Sequence, residues 1–305
     1  MRNSLSTAHP FSKIIFSLFI ILVTFLLTFI IGFLIAIPIF QINISNLTNV
    51  LSNYNDPDNL SFLKYLQTIQ AIGLFIVPAF IIAYIFNSNS VKYLKFNSVS
   101  IRLLTLTIII LLASIPLINS LNVINEGMQF PDWLKGIESW MKEKEMSAQA
   151  LTEAFLRMDS VSDLLFNIVM IGVLPAIGEE LIFRGVFQRI FAEWTKNIHW
   201  GIIIAATLFS AMHMQFYGFL PRLILGVLLG YLFYWSGSIW VPILGHFVNN
   251  ATAVIVYYLY ADEMSKEVEN FGAAEGSFIY LIIGLALIIP LLYLFYKERK
   301  KVAID

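Results

Sequence analysis

Long apolar runs dominate this chain and limit what it can fold into. About 17–25 consecutive apolar residues are enough for a helix to cross the ~30 Å hydrocarbon core of a bilayer. Hydrophobic residues make up 58% of the 305 positions and charged residues only 13%, so a water-soluble core could not bury this apolar surface. We therefore predict an all-α, polytopic membrane helix bundle of about eight transmembrane helices, over residues 14–40, 66–86, 101–121, 164–190, 200–217, 219–236, 239–260 and 277–296.

The distribution of Lys and Arg between these runs predicts the orientation in the membrane, because cytoplasmic loops carry an excess of both. With the N-terminus inside, twelve of the 19 Lys and Arg residues fall in inner segments. We therefore expect both termini in the cytoplasm and a retained first span, since run 14–40 is too long for a signal peptide. The twelve are Arg2, Lys13, Lys92, Lys95, Arg102, Arg184, Arg189, Lys196, Lys297, Arg299, Lys300 and Lys301.

Net charge and cysteine content exclude some classes of function. The net charge of −1 provides no general attraction for nucleic acid, so no nucleic-acid partner is expected. The chain contains no cysteine, which excludes a thiol nucleophile and thiolate metal ligands. The expected partners are the lipid bilayer and a membrane-associated peptide or protein.

Residues 122–160 differ from the other connecting segments. Phe130, Trp133, Ile137 and Trp140 recur at helical spacing among Lys and Glu residues, a pattern typical of a helix that lies at the membrane interface. Two interpretations stay open. A connector lying on the lipid headgroups is favoured over a lid that covers a cavity in the membrane.

Ionisable side chains are rare inside the apolar runs and occur together in three of them. A charge near the bilayer centre costs ~2.5–3.5 kcal/mol on insertion scales, so such groups indicate a functional site by default. Arg222, near the start of the sixth run, is expected to extend to the interface. The other ionisable side chains are Glu179, Glu180 and Arg184 in the fourth run, His213 in the fifth and His246 in the seventh, where the polar amides Asn249 and Asn250 accompany it.

The two adjacent carboxylates need different partners. Glu180 and Arg184 are four residues apart and can form an ion pair on one helix face, for which structural and functional roles are equally supported. Glu179 lies about 100° further round the helix and needs a histidine, a metal or a water-filled cavity. Counted at ~1.5 Å per residue, His213 lies ~20 Å along its run and His246 only ~10 Å. Either the fifth helix starts later than residue 200, or tilt and kinks bring the two histidines together; the later start is favoured.

Together these side chains supply the groups needed for hydrolysis by water. A carboxylate can act as the base, imidazoles can relay protons or bind a metal, and Asn with His can stabilise an oxyanion. No H-E-x-x-H or G-x-S-x-G motif occurs in the sequence. A transporter or proton relay also uses intramembrane Glu and His, but no internal repeat supports that alternative.

The three polar segments resemble the signature of the CAAX-processing and bacteriocin-processing (CPBP, or Abi) family of intramembrane proteases. That signature is E-E-x-x-x-R, F-x-x-x-H and H-x-x-x-N on successive membrane helices. The similarity covers roughly residues 160–260. It divides the chain into N-terminal helices with an amphipathic connector (1–160), a protease-like core (161–260), and a last helix with a basic tail (261–305). The matching residues are Glu179, Glu180 and Arg184, then Phe209 and His213, then His246 and Asn250.

The resemblance implies an intramembrane endopeptidase, similar to type II CAAX prenyl endopeptidases, that cleaves a membrane-associated or lipidated protein or peptide. It implies that Glu179 activates water with the help of His213, and that His246 and Asn250 bind the oxyanion. The same resemblance gives supporting roles to Glu180, Arg184 and Phe209.

The resemblance leaves two questions open. One divalent metal, zinc by preference, could be held by Glu179, His213 and His246, whereas Asn250 is a poor zinc ligand and favours the oxyanion role. The alternative to an enzyme is a catalytically idle immunity or scaffold protein, and a transporter is a third reading. In each case we expect a multi-pass protein of a bacterial cytoplasmic membrane.

Overall fold

The computed structural model describes residues 5–53, 56–128, 130–260 and 277–302, and within these ranges the chain is helical and has no strand. We number the helices of fifteen or more residues in chain order. They are α1 (Pro10–Ile39), α2 (Pro57–Phe86), α3 (Ile101–Glu126), α4 (Lys135–Leu156), α5 (Val161–Thr195), α6 (Ile198–Met212), α7 (Phe219–Ser236), α8 (Trp240–Leu259) and α9 (Ser277–Val302).

The predicted all-α, multi-pass architecture is confirmed. In the described part of the chain, six helices are long and apolar enough to cross a membrane, namely α1, α2, α3, α5, α7 and the 279–299 portion of α9. The other two predicted runs are also helical, as the 15-residue α6 and the 20-residue α8. Residues 261–276, which begin the predicted third part of the chain, lie outside the described residues.

The predicted end of the fifth run is wrong. Helix α6 stops at Met212 instead of residue 217, and His213 lies at its C-terminus. Met214 follows with a φ of 54°, a left-handed backbone conformation that cannot continue a right-handed helix. Hydropathy did not reveal this turn, because aromatic and apolar residues continue through it into α7.

Two π-helical turns interrupt α5, over Ile168–Val173 and Phe183–Phe187. A π-turn inserts one extra residue into the helix and is frequent at functional sites. The regular segment between them, Leu174–Ile182, contains both Glu179 and Glu180. Because α2 and α8 pack against this segment and α6 packs against the π-turn that follows it, the two adjacent carboxylates are buried although they point in different directions.

The loop between α2 and α3 forms hydrogen bonds with the turn between α7 and α8. The backbone N–H of Ile239 donates to the carbonyl of Lys95 at 2.9 Å. The side chain of Asn97 donates to the carbonyl of Gly237 at 2.7 Å, and the Ser238 hydroxyl donates to the carbonyl of Asn97 at 2.6 Å. These bonds fix the start of α8, and therefore the depth at which its polar residues lie.

Candidate active site

Glu180 is the centre of the polar cluster. Its carboxylate is completely buried, and the oxygen Oε1 accepts hydrogen bonds from Nη1 of Arg184 at 2.6 Å and from Nδ1 of His246 at 2.8 Å. The predicted ion pair between Glu180 and Arg184 is therefore present. The carboxylate also joins α5 to α8, which sequence spacing could not reveal.

The guanidinium of Arg184 extends the cluster to two more helices. Its Nη2 donates to the carbonyl of Gly226 on α7 at 3.0 Å, and its carbon Cζ lies 4.9 Å from the centre of the Phe209 ring on α6. A guanidinium over an aromatic face is attracted by the ring quadrupole. Arg184 is buried, so it ties α5, α6 and α7 together at the level of the two carboxylates.

His246 lies between the two carboxylates. Its Nδ1 bonds to Glu180, and its Nε2 lies 3.9 Å from Oε2 of Glu179. A carboxylate accepts hydrogen bonds, so the proton of this bond belongs to Nδ1 of the imidazole. Oε2 of Glu179 is itself buried and has no hydrogen-bond partner among the described residues. The expectation that a histidine faces Glu179 is thus met by His246.

His213 contacts the cluster through Phe209. Its Nδ1 donates to the carbonyl of Phe209 at 2.9 Å, which leaves Nε2 as the ring atom with a free lone pair. The Phe209 ring packs against both imidazoles, with centres 5.1 Å from His213 and 5.8 Å from His246.

Helix α6 begins at Ile198, so the expectation of a later start is wrong. Phe209 lies at the level of His246, and His213 lies one turn further along.

The Asn250 amide is fixed against α5. Its Nδ2 donates to the carbonyl of Ile171 at 3.0 Å, and its Oδ1 accepts from the Asn249 side chain at 3.1 Å. An amide group carries two N–H donors, so one donor of Asn250 is left beyond the bond to Ile171. Asn250 lies one helical turn after His246 on α8 and is half-buried.

The part of the chain that the structure describes shows no ready-made metal site. Among the described residues, no group of three or more His, Asp or Glu side chains is placed so that it could hold one. Glu180 and Glu179 already face the two ring nitrogens of His246. The zinc site at Glu179, His213 and His246 stays a prediction.

Arg222 lies near the polar cluster around Glu179, which the sequence did not predict. Expected to extend to the interface, it instead donates from Nη2 to the side chain of Gln215 at 2.5 Å, with Nη1 buried. The guanidinium is close enough to Glu179 to interact with it electrostatically. The turn after α6 brings these residues together, and no periodicity in the sequence signals that turn.

Comparison with known proteins supports the resemblance for this region. Residues 161–252 match the family model described as type II CAAX prenyl endopeptidase Rce1-like, so the predicted similarity is confirmed over this segment. The uncharacterized protein YpbD of Bacillus subtilis (strain 168) is 30% identical over 89 residues. That match covers 28% of this chain and 42% of YpbD, less than half of that relative. No solved structure matches the chain significantly.

Proposed function

We propose that this chain is an intramembrane endopeptidase that hydrolyses a peptide bond of a membrane-associated or lipidated protein or peptide. The observation that carries the proposal is the pair formed by Oε2 of Glu179 and Nε2 of His246, 3.9 Å apart inside the bundle. This separation is too long for a hydrogen bond. It suits two groups that act on a reacting atom between them.

Glu179 is the base in this mechanism. Its buried Oε2 has no hydrogen-bond partner among the described residues, so it can take a proton from a water molecule. The resulting hydroxide attacks the carbonyl carbon of the scissile peptide bond. His213 assists by orienting the water, since its Nδ1 is committed to the Phe209 carbonyl and its Nε2 can accept a hydrogen bond from the O–H that the water keeps. The protonated Glu179 then gives its proton to the leaving amine nitrogen, which breaks the C–N bond.

His246 and Asn250 stabilise the negative oxygen that forms in the transition state. The bond from Nδ1–H to Glu180 holds the His246 ring with Nε2 towards Glu179 and the reacting carbonyl, and in the imidazolium form the ring donates Nε2–H to the oxyanion. Asn250 offers its second amide N–H from the next turn of α8. Donors fixed in advance in a water-poor interior are worth more than in water, and losing one typically costs about 10²–10³ in kcat.

An apolar cavity of about 330 Å³ supports a substrate that arrives through the membrane. It lies between α3, the end of α4 and α8, and Leu111, Ile115, Leu156, Asn249 and Tyr257 are among the residues lining it. Asn249 donates directly to Asn250, so the cavity adjoins the predicted oxyanion site. A chain segment in this cavity would be surrounded mainly by hydrocarbon side chains and would meet a few polar ones, namely Asn119, Asn249, Thr252 and Tyr257.

The test compares peptide cleavage by the wild type and by Glu179→Gln in lipid vesicles, with mass spectrometry of the products. The peptides are a farnesylated CAAX peptide, the same peptide without the lipid, and a single-span leader peptide. We expect Glu179→Gln to lower cleavage by about 10²–10⁴-fold, the usual contribution of a general base. Glu143→Gln, an exposed acid on α4, is the matched control and should cleave normally.

Two outcomes would contradict the proposal. Cleavage at the wild-type rate by a folded Glu179→Gln variant would remove Glu179 as the base. A wild-type protein that cleaves none of the three peptides would favour the idle immunity or scaffold protein.

A further inference from the structure

The turn that carries His213 is held by a residue outside the segment that matches the family model. Asn125 lies near the end of α3 and is only 1% exposed. Its Nδ2 donates to the carbonyl of Phe216 at 2.9 Å, and its Oδ1 accepts from the backbone N–H of Leu220 at 2.7 Å. One side chain thus satisfies backbone groups of the 213–218 turn and of the first turn of α7.

The connector between α3 and α5 adds two more contacts to the same turn. Oε2 of Glu145 on α4 accepts the backbone N–H of Tyr217 at 2.9 Å. The ring of Phe130 packs against the ring of Phe216 with centres 4.8 Å apart. Together with Asn125, these residues contact the turn along its length from residue 216 to residue 220. We call Asn125, Phe130 and Glu145 the clamp.

The position of His213 depends on this turn, because His213 is no longer inside a regular helix. Its backbone N–H bonds to the carbonyl of Ser210, three residues earlier, at 3.3 Å. The next residue, Met214, has the left-handed φ of 54°. Within the matched segment the turn is braced by the Ser210 hydroxyl, which donates to the Phe219 carbonyl at 2.6 Å. Asn125 is the buried clamp residue that joins this turn to α3.

We propose that Asn125 is a positioning residue for the reaction, acting through the 213–218 turn to hold the imidazole of His213 in place. This inference rests on the proposed function, since it assigns His213 a part in catalysis. A displacement of about 1 Å by a substitution away from the reacting atoms can cost about 10²-fold in rate. The polar side chain at the end of α3 therefore does more than terminate a membrane span.

The first experiment measures cleavage of the peptide that the wild type cleaves fastest. We expect Asn125→Ala to lower kcat by about 10²-fold with KM changed little, because the substitution moves a reacting group and not a binding surface. The matched control is Asn122→Ala, a half-buried residue one turn earlier on α3, which should keep the wild-type kcat. Asn125→Asp keeps an acceptor for Leu220 and replaces the donor to Phe216 by a carboxyl oxygen. It is the second variant if the alanine variant does not fold, and it should lower kcat to a similar extent.

A double mutant separates positioning from a general loss of stability. Residues that act as one unit have non-additive effects on rate. If Asn125 acts through His213, the substitution Asn125→Ala should lower kcat no further in a His213→Gln background. A full additional loss of about 10²-fold in that background would overturn the inference.

A spectroscopic measurement tests the inference without using activity. In protein labelled with ¹⁵N-histidine, the bond to the Phe209 carbonyl fixes the proton of His213 on Nδ1. We expect Asn125→Ala to shift the ring-nitrogen signals of His213 and to leave those of His246 unchanged, with assignments from His→Gln variants. An unchanged His213 signal would overturn the inference. A shifted signal in a protein that cleaves no peptide would contradict the proposed function alone.

Discussion

Removal of Arg184 should destabilise the protein strongly, because Glu180 would then be buried without its cationic partner. The two side chains are 1% and 0% exposed and their charged atoms are 2.6 Å apart. Breaking a buried ion pair by removing one partner typically costs about 3–5 kcal/mol. At about 1.4 kcal/mol per factor of ten, Arg184→Met should shift the unfolding equilibrium by roughly two to three and a half orders of magnitude.

Removal of both charges should cost less than removal of Arg184 alone. In Glu180→Gln with Arg184→Met, the glutamine oxygen can still accept Nδ1–H of His246, and no carboxylate is left unpaired. The assay is reversible unfolding in mixed micelles of mild detergent and dodecyl sulfate, followed by tryptophan fluorescence. Activity should still fall in the double variant, since a neutral glutamine orients the His246 ring less firmly than a charged carboxylate does.

The control has the same spacing in a different environment. Glu138 and Lys142 on α4 are also four residues apart, with charged atoms at 2.7 Å, but Lys142 is exposed. Solvent screens such a pair, so Lys142→Met should leave the unfolding midpoint nearly unchanged. The reasoning would be refuted if the double variant at Glu180 and Arg184 were as unstable as the two single variants combined. It would equally be refuted if Arg184→Met and Lys142→Met had the same effect.

Two further predictions concern packing and metals. An alanine Cβ at Gly201 would lie 2.7 Å from the backbone oxygen of Gln188 and 2.8 Å from the nitrogen of Ala192, so Gly201→Ala should destabilise by about 1–3 kcal/mol. Gly136→Ala is the control in the same unfolding assay, since an added Cβ meets nothing within 4 Å. The proposed mechanism assigns no step to a metal, so cleavage should survive dialysis against a chelator; loss of activity restored by zinc would contradict this mechanism and support the zinc site at Glu179, His213 and His246.

The local part of the site could be predicted from sequence, and its long-range part could not. The pair Glu180–Arg184 follows from helical spacing alone. The contact of Glu180 with His246 joins residues 66 positions apart and depends on how α5 and α8 pack. The π-turns of α5 have no signature in hydropathy, so the direction of Glu179 was predictable only as different from that of Glu180.

The turn at His213 shows why the ends of a membrane helix are harder to predict from sequence than its presence. Hydropathy continues through Phe216 into α7, whereas the helix stops where Met214 takes a left-handed conformation. The role of Asn125 could not be predicted from the sequence either, because an asparagine near the end of a membrane helix is usual at the interface. Its partners, the backbone groups of Phe216 and Leu220, lie more than 90 positions later. Side-chain bonds to distant backbone leave no periodic pattern in a sequence.

The hydrogen bonds between residues 95–97 and 237–239 join segments that the ribosome makes at different times. Asn97 and Gly237 are 140 positions apart, which at about 5–20 residues per second is a delay of roughly 7–28 s. When the turn before α8 is made, its hydrogen-bond partners in the loop before α3 have therefore already been synthesised. Residues 95–97, which are made earlier, therefore set the depth of His246 in the bundle. The segment that resembles a protease is thus completed after the N-terminal helices, and against them.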